Sequence, residues 1–568
     1  MRLRSISSLE ERIAFLDDQD RRILSISPSS TSSLGSDSFY DELYETKARY
    51  MVGFRSPWRR RFNAWLRSRP RHLRRTFRRN PRSFILTALK YLLQLICTLL
   101  VLVPIFAPSY KHPPAHYKAM ESRCQGGGKY AEAGCANPHN EQVFISITLY
   151  DAGGRLAGGR WGDSLLHLIH LIGEKNVFLS IYESNSGPEG EKALKSLKTR
   201  LRCRFCIVSD PETPKSDFPT VTLPDGSHRL KRLAFLTEMR NRALRPLDTF
   251  DPELGVVDYD RILFMNDIAF RPIDAAQLLF STNVGPDGKA HYLSACGLDY
   301  KYPLVFYDLY AMRDAEGYSN GLPIFPIFSG AGQGLSRAAM ISETDAVPVS
   351  ACWGGIVAME AKYVQNPNIT VPDPNFQDIG RHVIAPDEPR NVTSPVRFRY
   401  EPEVFYDACE CCLFLADVAQ VAKKQDAKEL GVYVNPYIRV AYKYSLLAWL
   451  PWLQRWERIF TIPQGILTPL FNLPTHNPHR NVQEGELFTE EIWVGEGNTA
   501  HWELVQRQGR NAMFCGVREM QTIRTGTPLY STFLPMTEEA NNIIGERTDD
   551  ENWDNNYIPP GQRLYFPT

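Results

Sequence analysis

The stretch NVFLSIYESNSGPEGEKALKSLKTRLRCRFCIVSD, residues 176–210, decides the fold. NVFLSIYES (176–184) is a nearly unbroken apolar run closed by polar residues, as in a strand buried on both faces. SGPEG turns the chain, EKALKSLKTRL (191–201) has helical spacing, and CRFCIVSD (203–210) is a second apolar strand. A strand, a helix and a strand in succession imply a parallel pair joined by a crossover.

The alternation extends both ways. Upstream, VFISITLYDA (143–152) is a strand ending in the Gly-rich turn AGGRLAGG, and RWGDSLLHLIHLIGE (160–174) is an amphipathic helix. Downstream, LKRLAFLTEMRNRAL (230–244) is a helix stopped by Pro246, and YDRILFMNDIAF (259–270) is a strand that halts at a polar pair. The expected fold is α/β, a Rossmann-like layer, with ligands at the carboxyl ends of its strands. Tyr150-Asp151, Glu183-Ser184, Asp210 and Asn266-Asp267 fall at those ends.

ILFMNDIAF is the sharpest of these sites. A carboxylate ending a parallel strand can ligate a hard divalent cation, which in turn neutralises a diphosphate. Nucleotide-sugar transferases of α/β type use D-x-D there; this chain has Met265 at the first Asp, leaving Asp267 with Asn266 beside it. Lys231, Arg232, Arg240, Asn241 and Arg242 gather on the preceding helix, where an Arg fork suits phosphate oxygens. In PVSACWGGIVAME (348–360), Gly354 and Gly355 allow close backbone approach, and the Trp353 indole can stack on a sugar face or fill the core. Glu401, Glu403, Asp407 and Glu410 precede an apolar helix, and spacing does not choose which would act on an acceptor hydroxyl.

Charge divides the chain. Lys+Arg (65) and Asp+Glu (64) nearly cancel over 568 residues, a balance that argues against a nucleic-acid binder. Residues 1–106 nevertheless hold 20 basic and 9 acidic residues, +11, which leaves −10 for 107–568. Twelve arginines and no acid lie between Arg55 and Arg82. FILTALKYLLQLICTLLVLVPIF (84–106) follows, 23 residues with one charge, Lys90, and is long enough to span a bilayer. The basic flank places the N-terminus in the cytosol and residues 107–568 across the membrane, as in a single-pass type II signal anchor. The expected organisation is a disordered basic cytosolic tail (1–82), the anchor (83–106), a stem (107–140), a transferase domain (141–480) and a C-terminal extension of unknown role (481–568). Sequons at Asn368 and Asn391 and ten cysteines after the anchor agree with a lumenal body that permits glycosylation and disulfides. Cys203-x-x-Cys206 reads as packing or a disulfide in a strand rather than half a zinc site.

FISITLYDAGG, FLSIYESNSGPEG, FCIVSD, LAFLTEMRNRAL, ILFMNDIAF, ACGLDY, FYDLYAMRD, SACWGGI, Cys409-Glu410-Cys411 and VNPYIRVAY occur in that order across residues 140–480. The series resembles the fungal capsule-associated α-1,3-mannosyltransferase family, whose usual Ser-Glu-Cys appears here as Cys-Glu-Cys. The resemblance implies a GT-A-like nucleotide-sugar-binding domain in a Golgi or ER type II enzyme. Such an enzyme would move mannose from GDP-mannose to a mannose 3-hydroxyl of a glycan, with retention, using a divalent cation, Mn²⁺ by family habit. It also implies roles for residues. Asp267 would anchor the metal and diphosphate, with His476 or His479 as a further metal ligand. Glu183, Asp210, Arg240, Asn241 and Asn266 would line the donor side. Asp299, Asp308, Arg313 and Asp314 would lie between donor and acceptor, and Trp353, Gly354, Gly355 and Glu410 would face the acceptor. Asp267, Asp299 and Glu410 are the catalytic candidates. The alternative is a catalytically silent membrane protein that assists polysaccharide assembly or export, which the missing first Asp favours.

Overall fold

The computed structural model describes residues 81–125, 132–184, 186–210, 218, 220–222, 228–248, 257–365, 392–401, 406–425, 430–474, 479–494, 501–517, 519–523 and 553–556. The chain divides into two compact units, Met1–Ile96 and Cys97–Thr568. In the first, the described residues are helical, the start of α1 (Pro81–Phe106). Among the described residues α1 is the one helix long and apolar enough to cross a membrane.

The second unit is built on a ten-stranded sheet. Its elements in chain order begin with α2 (Ala115–Gln125), β1 (Val143–Leu149), α3 (Arg160–Ile172), β2 (Val177–Ser184), α4 (Gly187–Arg200) and β3 (Arg204–Asp210). Next come β4 (Thr220–Thr222), β5 (His228–Lys231), α5 (Arg232–Leu244), β6 (Arg261–Met265), α6 (Pro272–Ser281), β7 (Ser294–Tyr302), β8 (Val305–Phe306) and β9 (Arg313–Asp314). They are followed by α7 (Leu335–Ile341), β10 (Val347–Ala351), β11 (Ile356–Glu360), β12 (Asp407–Ala408), α8 (Glu410–Lys424) and β13 (Val432–Ala441). The last are α9 (Tyr444–Leu453), α10 (Thr461–Leu470), β14 (Leu487–Val494), β15 (His501–Gln508), β16 (Gly516–Val517), β17 (Met520–Ile523) and β18 (Trp553–Asn556).

The strand order is β3-β2-β1-β6-β11-β7-β13-β10-β9, with β8 on β7. β3, β2, β1 and β6 are mutually parallel, and β7 and β13 are parallel to each other. β11 runs antiparallel between β6 and β7. All eight residues of β2 are buried, as the apolar run required.

Two-residue alternation sorts the strands' side chains onto two faces. Ile145, Ile147, Leu263 and Met265 pack with Leu165, Leu168 and Leu278 of α3 and α6. Phe144, Ile262 and Phe264 pack on the opposite face with Trp353, Phe398 and Phe414. Asn266, the residue after β6, therefore follows Phe264 onto the second face, while Met265 lies in the first core.

The flanking segments are knitted into this body. Residues 109–125, within the expected stem, are packed: the Tyr110 hydroxyl donates to the Met340 carbonyl at 2.9 Å, and Tyr117 and Met120 are buried. Disulfides join Cys124–Cys135, Cys296–Cys352 and Cys412–Cys515, while Cys203 and Cys206 are free. The Cys203-x-x-Cys206 pair thus serves packing. Of the segment after 480, β16 pairs with β12 and β17 with β5.

Candidate active site

β6 ends where its apolar alternation meets Asn266-Asp267, and the turn is held by the Asn266 N–H donating to the Gly355 carbonyl at 2.9 Å. Gly355 follows Gly354, and both have positive φ, 57° and 69°. A Cβ on Gly354 would collide with the Gly297 carbonyl, so only glycine lets this turn lie against β7. The Gly354 N–H donates to Asp308 Oδ2 at 3.0 Å. Sequence and sheet geometry together thus bring β6, β7 and the Trp-Gly-Gly turn to one place.

Two linked clusters meet there. In the first, Arg240 Nε donates to Glu410 Oε1 at 3.0 Å, and the guanidinium lies 4.5 Å over the Trp353 ring. Trp353 Nε1 donates to Asn266 Oδ1 at 3.3 Å, and Arg240 reaches the same oxygen at 3.5 Å. In the second, Asp299 accepts the Asp308 N–H at 3.0 Å on Oδ1 and the Tyr442 hydroxyl at 3.1 Å on Oδ2. Asp308 Oδ1 accepts the Ala311 N–H at 3.0 Å. Asn266, Asp267, Asp308, Tyr307, Tyr442 and Arg240 are half-buried and form the accessible side, whereas Asp299 and Glu410 lie behind them.

Carboxylates dominate the electrostatics. Burial, and then the neighbouring Asp308, push the Asp299 carboxyl up to about 8. Burial also raises Asp308, against the Gly354 and Ala311 N–H groups that favour its charged form. Tyr442 rises well above its usual value through burial and the charges of Asp299, Asp267 and Asp308. Such crowding of acids suits a cation.

Among the described residues, the group of three His, Cys, Asp or Glu side chains close enough to share an ion is Cys409, Glu410 and Cys411, with Arg240 already on Glu410. Asp267 is a single hard oxygen ligand. That fits a divalent cation of the Mg²⁺ or Mn²⁺ kind, which takes one or two carboxylates and completes its shell with water and substrate phosphates.

The remaining candidate residues are bound elsewhere. Glu183 is buried, accepting the Ser186 N–H at 2.7 Å and the Ser209 hydroxyl. Asp210 accepts from the Tyr182 hydroxyl at 2.7 Å and from Arg242 at 3.3 Å. Asn241 exchanges two hydrogen bonds of 2.9 Å with the Phe398 backbone, which holds that ring beside Trp353. Arg313 donates to the carbonyls of Tyr310, Met312, Phe514 and Cys515, and Asp314 caps the turn at Glu316 and Tyr318. His479 pairs with Glu490 at 2.7 Å. His476, Asn368, Asn391 and Glu403 lie outside the described residues. Of the other acids, Asp407 pairs with Lys231 at 3.0 Å and Glu401 with Arg399 at 2.9 Å, which leaves Glu410 as the one joined to Arg240.

Tyr442 was missed by motif reading. It directly follows β13, whose parallel pairing with β7 sets Val440 opposite Asp299. The rule of carboxyl strand ends, applied to VNPYIRVAY, would have found it.

A mostly parallel α/β core with acids and a basic fork gathered at strand ends places a ligand site where glycosyltransferases of α/β type hold theirs. Residues 142–417, just under half of the chain, match the model of the family described as cryptococcal mannosyltransferase 1. No curated protein matches the chain. Among solved structures it is similar to the mannosyltransferase PcManGT from Pyrobaculum calidifontis in complex with GDP-Man and Mn²⁺, at 11% identity and TM-score 0.26 over 64% of this chain and 73% of that one. It is also similar to residues 1–349 of S. aureus TarS, at 9% identity and TM-score 0.24 over 60% and 77% of the two chains.

Proposed function

We propose that the chain is a single-pass type II membrane enzyme of the Golgi or ER, with a lumenal GT-A-like body. It transfers mannose from GDP-mannose to a mannose 3-hydroxyl of a glycan, retaining the α configuration. The observation that carries the reading is the meeting of Asp267, Asn266 and the Arg240–Glu410 pair at the end of β6, inside the segment matched by the mannosyltransferase family.

Asp267 would hold a divalent cation, Mn²⁺ in this proposal, which supplies neutralisation of the donor diphosphate. Arg240 orients Asn266 and Trp353 beside it and donates to Glu410. Gly354 offers its backbone to Asp308, so the turn and the carboxylate move as one. Asp299, wholly buried, acts as a positioning residue through Tyr442 and the Asp308 backbone. The apolar α1 and its arginine-rich flank support the anchor and its orientation.

Solubilised full-length protein should release GDP from GDP-mannose and mannosylate manno-oligosaccharides in a Mn²⁺-dependent way, and Asp267→Ala should abolish both. Met265, in place of the first Asp, favours a silent binding module instead. GDP binding without turnover would favour that second reading, and neither turnover nor GDP binding in the wild type, with Asp267→Ala indistinguishable from it, would overturn the enzyme.

A further inference from the structure

Helix α10 is inside out. Its polar residues Gln464 and Thr468 are 0% and 2% exposed. Gln464 Nε2 donates to the Ile327 and Phe328 carbonyls at 3.2 and 3.3 Å, and Thr468 Oγ1 accepts the Leu322 N–H at 3.2 Å. Its apolar residues Ile462, Ile466 and Leu470, spaced i, i+4, i+8, face outward at 73%, 64% and 60% exposure, and Phe471 continues the row. A helix bathed in water shows the opposite order. Single exposed apolar residues are ordinary, but a contiguous face of them marks something that covers it.

α9 extends the face with Trp449 and Trp452, both at least half exposed. Their rings lie 5.6 Å apart, and Trp452 lies 4.2 Å from Trp456. From Tyr444 to Leu473 the charges are Arg455, Glu457 and Arg458. Glu457 turns inward to Arg439, and Arg458 pairs with Glu343.

Trp456 joins the face to α1. Its Nε1 donates at 3.0 Å to the Leu100 carbonyl in the last third of α1, so the aromatic row is continuous with the apolar helix. Indole rings concentrate at the headgroup level of bilayers, where one edge is wet and the rest apolar. We propose that α9 and α10 form a foot seated in the bilayer leaflet on the body's side. Trp449 and Trp452 lie at the headgroups, and Ile462, Ile466, Leu470 and Phe471 enter the acyl boundary. The proposal rests on α1 being the membrane anchor. Only Lys443 separates Tyr442 from α9, so the foot ties one wall of the candidate active site to the membrane surface.

The test places the full chain in dioleoylphosphatidylcholine vesicles made with or without brominated acyl chains and reads tryptophan emission. Brominated lipid should quench the wild type. The Trp449→Phe/Trp452→Phe variant should lose a smaller share of its emission, because Trp58 and Trp65 beside the anchor contribute equally to both. Iodide in the water should quench the two foot tryptophans less in vesicles than in detergent. An alkaline carbonate wash separates the two readings. Chain released by the wash overturns the anchor and the foot together. Chain retained, with wild type and variant quenched alike, overturns the foot alone; crosslinking of Ile466→Cys to a second copy would then assign the face to a dimer.

Discussion

Arg240 and Glu410 form a buried ion pair of 3.0 Å between α5 and α8, 170 residues apart in the chain. The two side chains are 12% and 3% exposed, so neither charge can retreat fully to water without the other. Arg240→Met should destabilise the body by roughly 3–5 kcal/mol, because it strands the Glu410 carboxylate. Adding Glu410→Gln to that variant should recover much of the loss. Thermal denaturation of both singles and the double variant measures the coupling; additive losses would show that the pair does not act as a unit.

Met265 stands where the first acid of a D-x-D pattern would, yet it is 1% exposed within the core shared with Ile147 and Ile268. Met265→Asp should therefore lower the melting temperature and raise no activity, since the new carboxylate would be buried among apolar side chains. Met265→Leu should cost less than about 1.5 kcal/mol and keep transfer intact. A faster, equally stable Met265→Asp enzyme would contradict this packing.

Asp299 gives the fold a pH signature. Its carboxyl is raised from 3.8 to about 8 in the folded chain, so the proton binds more tightly there than in the unfolded chain. The contribution to stability is full below the unfolded value and is lost as pH rises through the folded one. Asp299→Asn should accordingly melt higher than wild type at alkaline pH, with the gap closing towards about pH 4. Melting curves across that range check it, and a gap that stays constant with pH would refute the assignment.

Cys412–Cys515 ties the first turn of α8, where Glu410 lies, to a segment 103 residues later. Loop-closure entropy for about 100 residues predicts a stabilisation of roughly 4–5 kcal/mol. The Cys412→Ala/Cys515→Ala variant should melt lower, and a reductant should lower its melting point less than it lowers that of wild type. Transfer should fall as well, because Glu410 loses its restraint. Unchanged melting and activity would show that β16 and the Arg313 bonds suffice.

Much of the site was legible because it obeys local rules. Apolar runs that end in Asn266-Asp267, and adjacent glycines after Trp353, announce a strand end and a turn whatever surrounds them. Glu410 and Tyr442 were harder, since spacing did not rank Glu410 among four acids and Tyr442 ends a strand that carries no acid. Glu183 and Asp210 also end strands, yet their oxygens are taken by Ser186, Ser209, Tyr182 and Arg242.

What the sequence determined by itself was the α/β alternation, the apolar helix with its arginine flank, and the acid at the end of β6. Each rests on a period of two or 3.6 residues, or on local charge, and so needs no knowledge of distant contacts. Only the tertiary structure decided that Arg240 selects Glu410, that Asp299 is buried against Asp308 and Tyr442, and that α10 turns its apolar side outward. Those depend on desolvation and on partners up to 170 residues away, which no window along the chain contains.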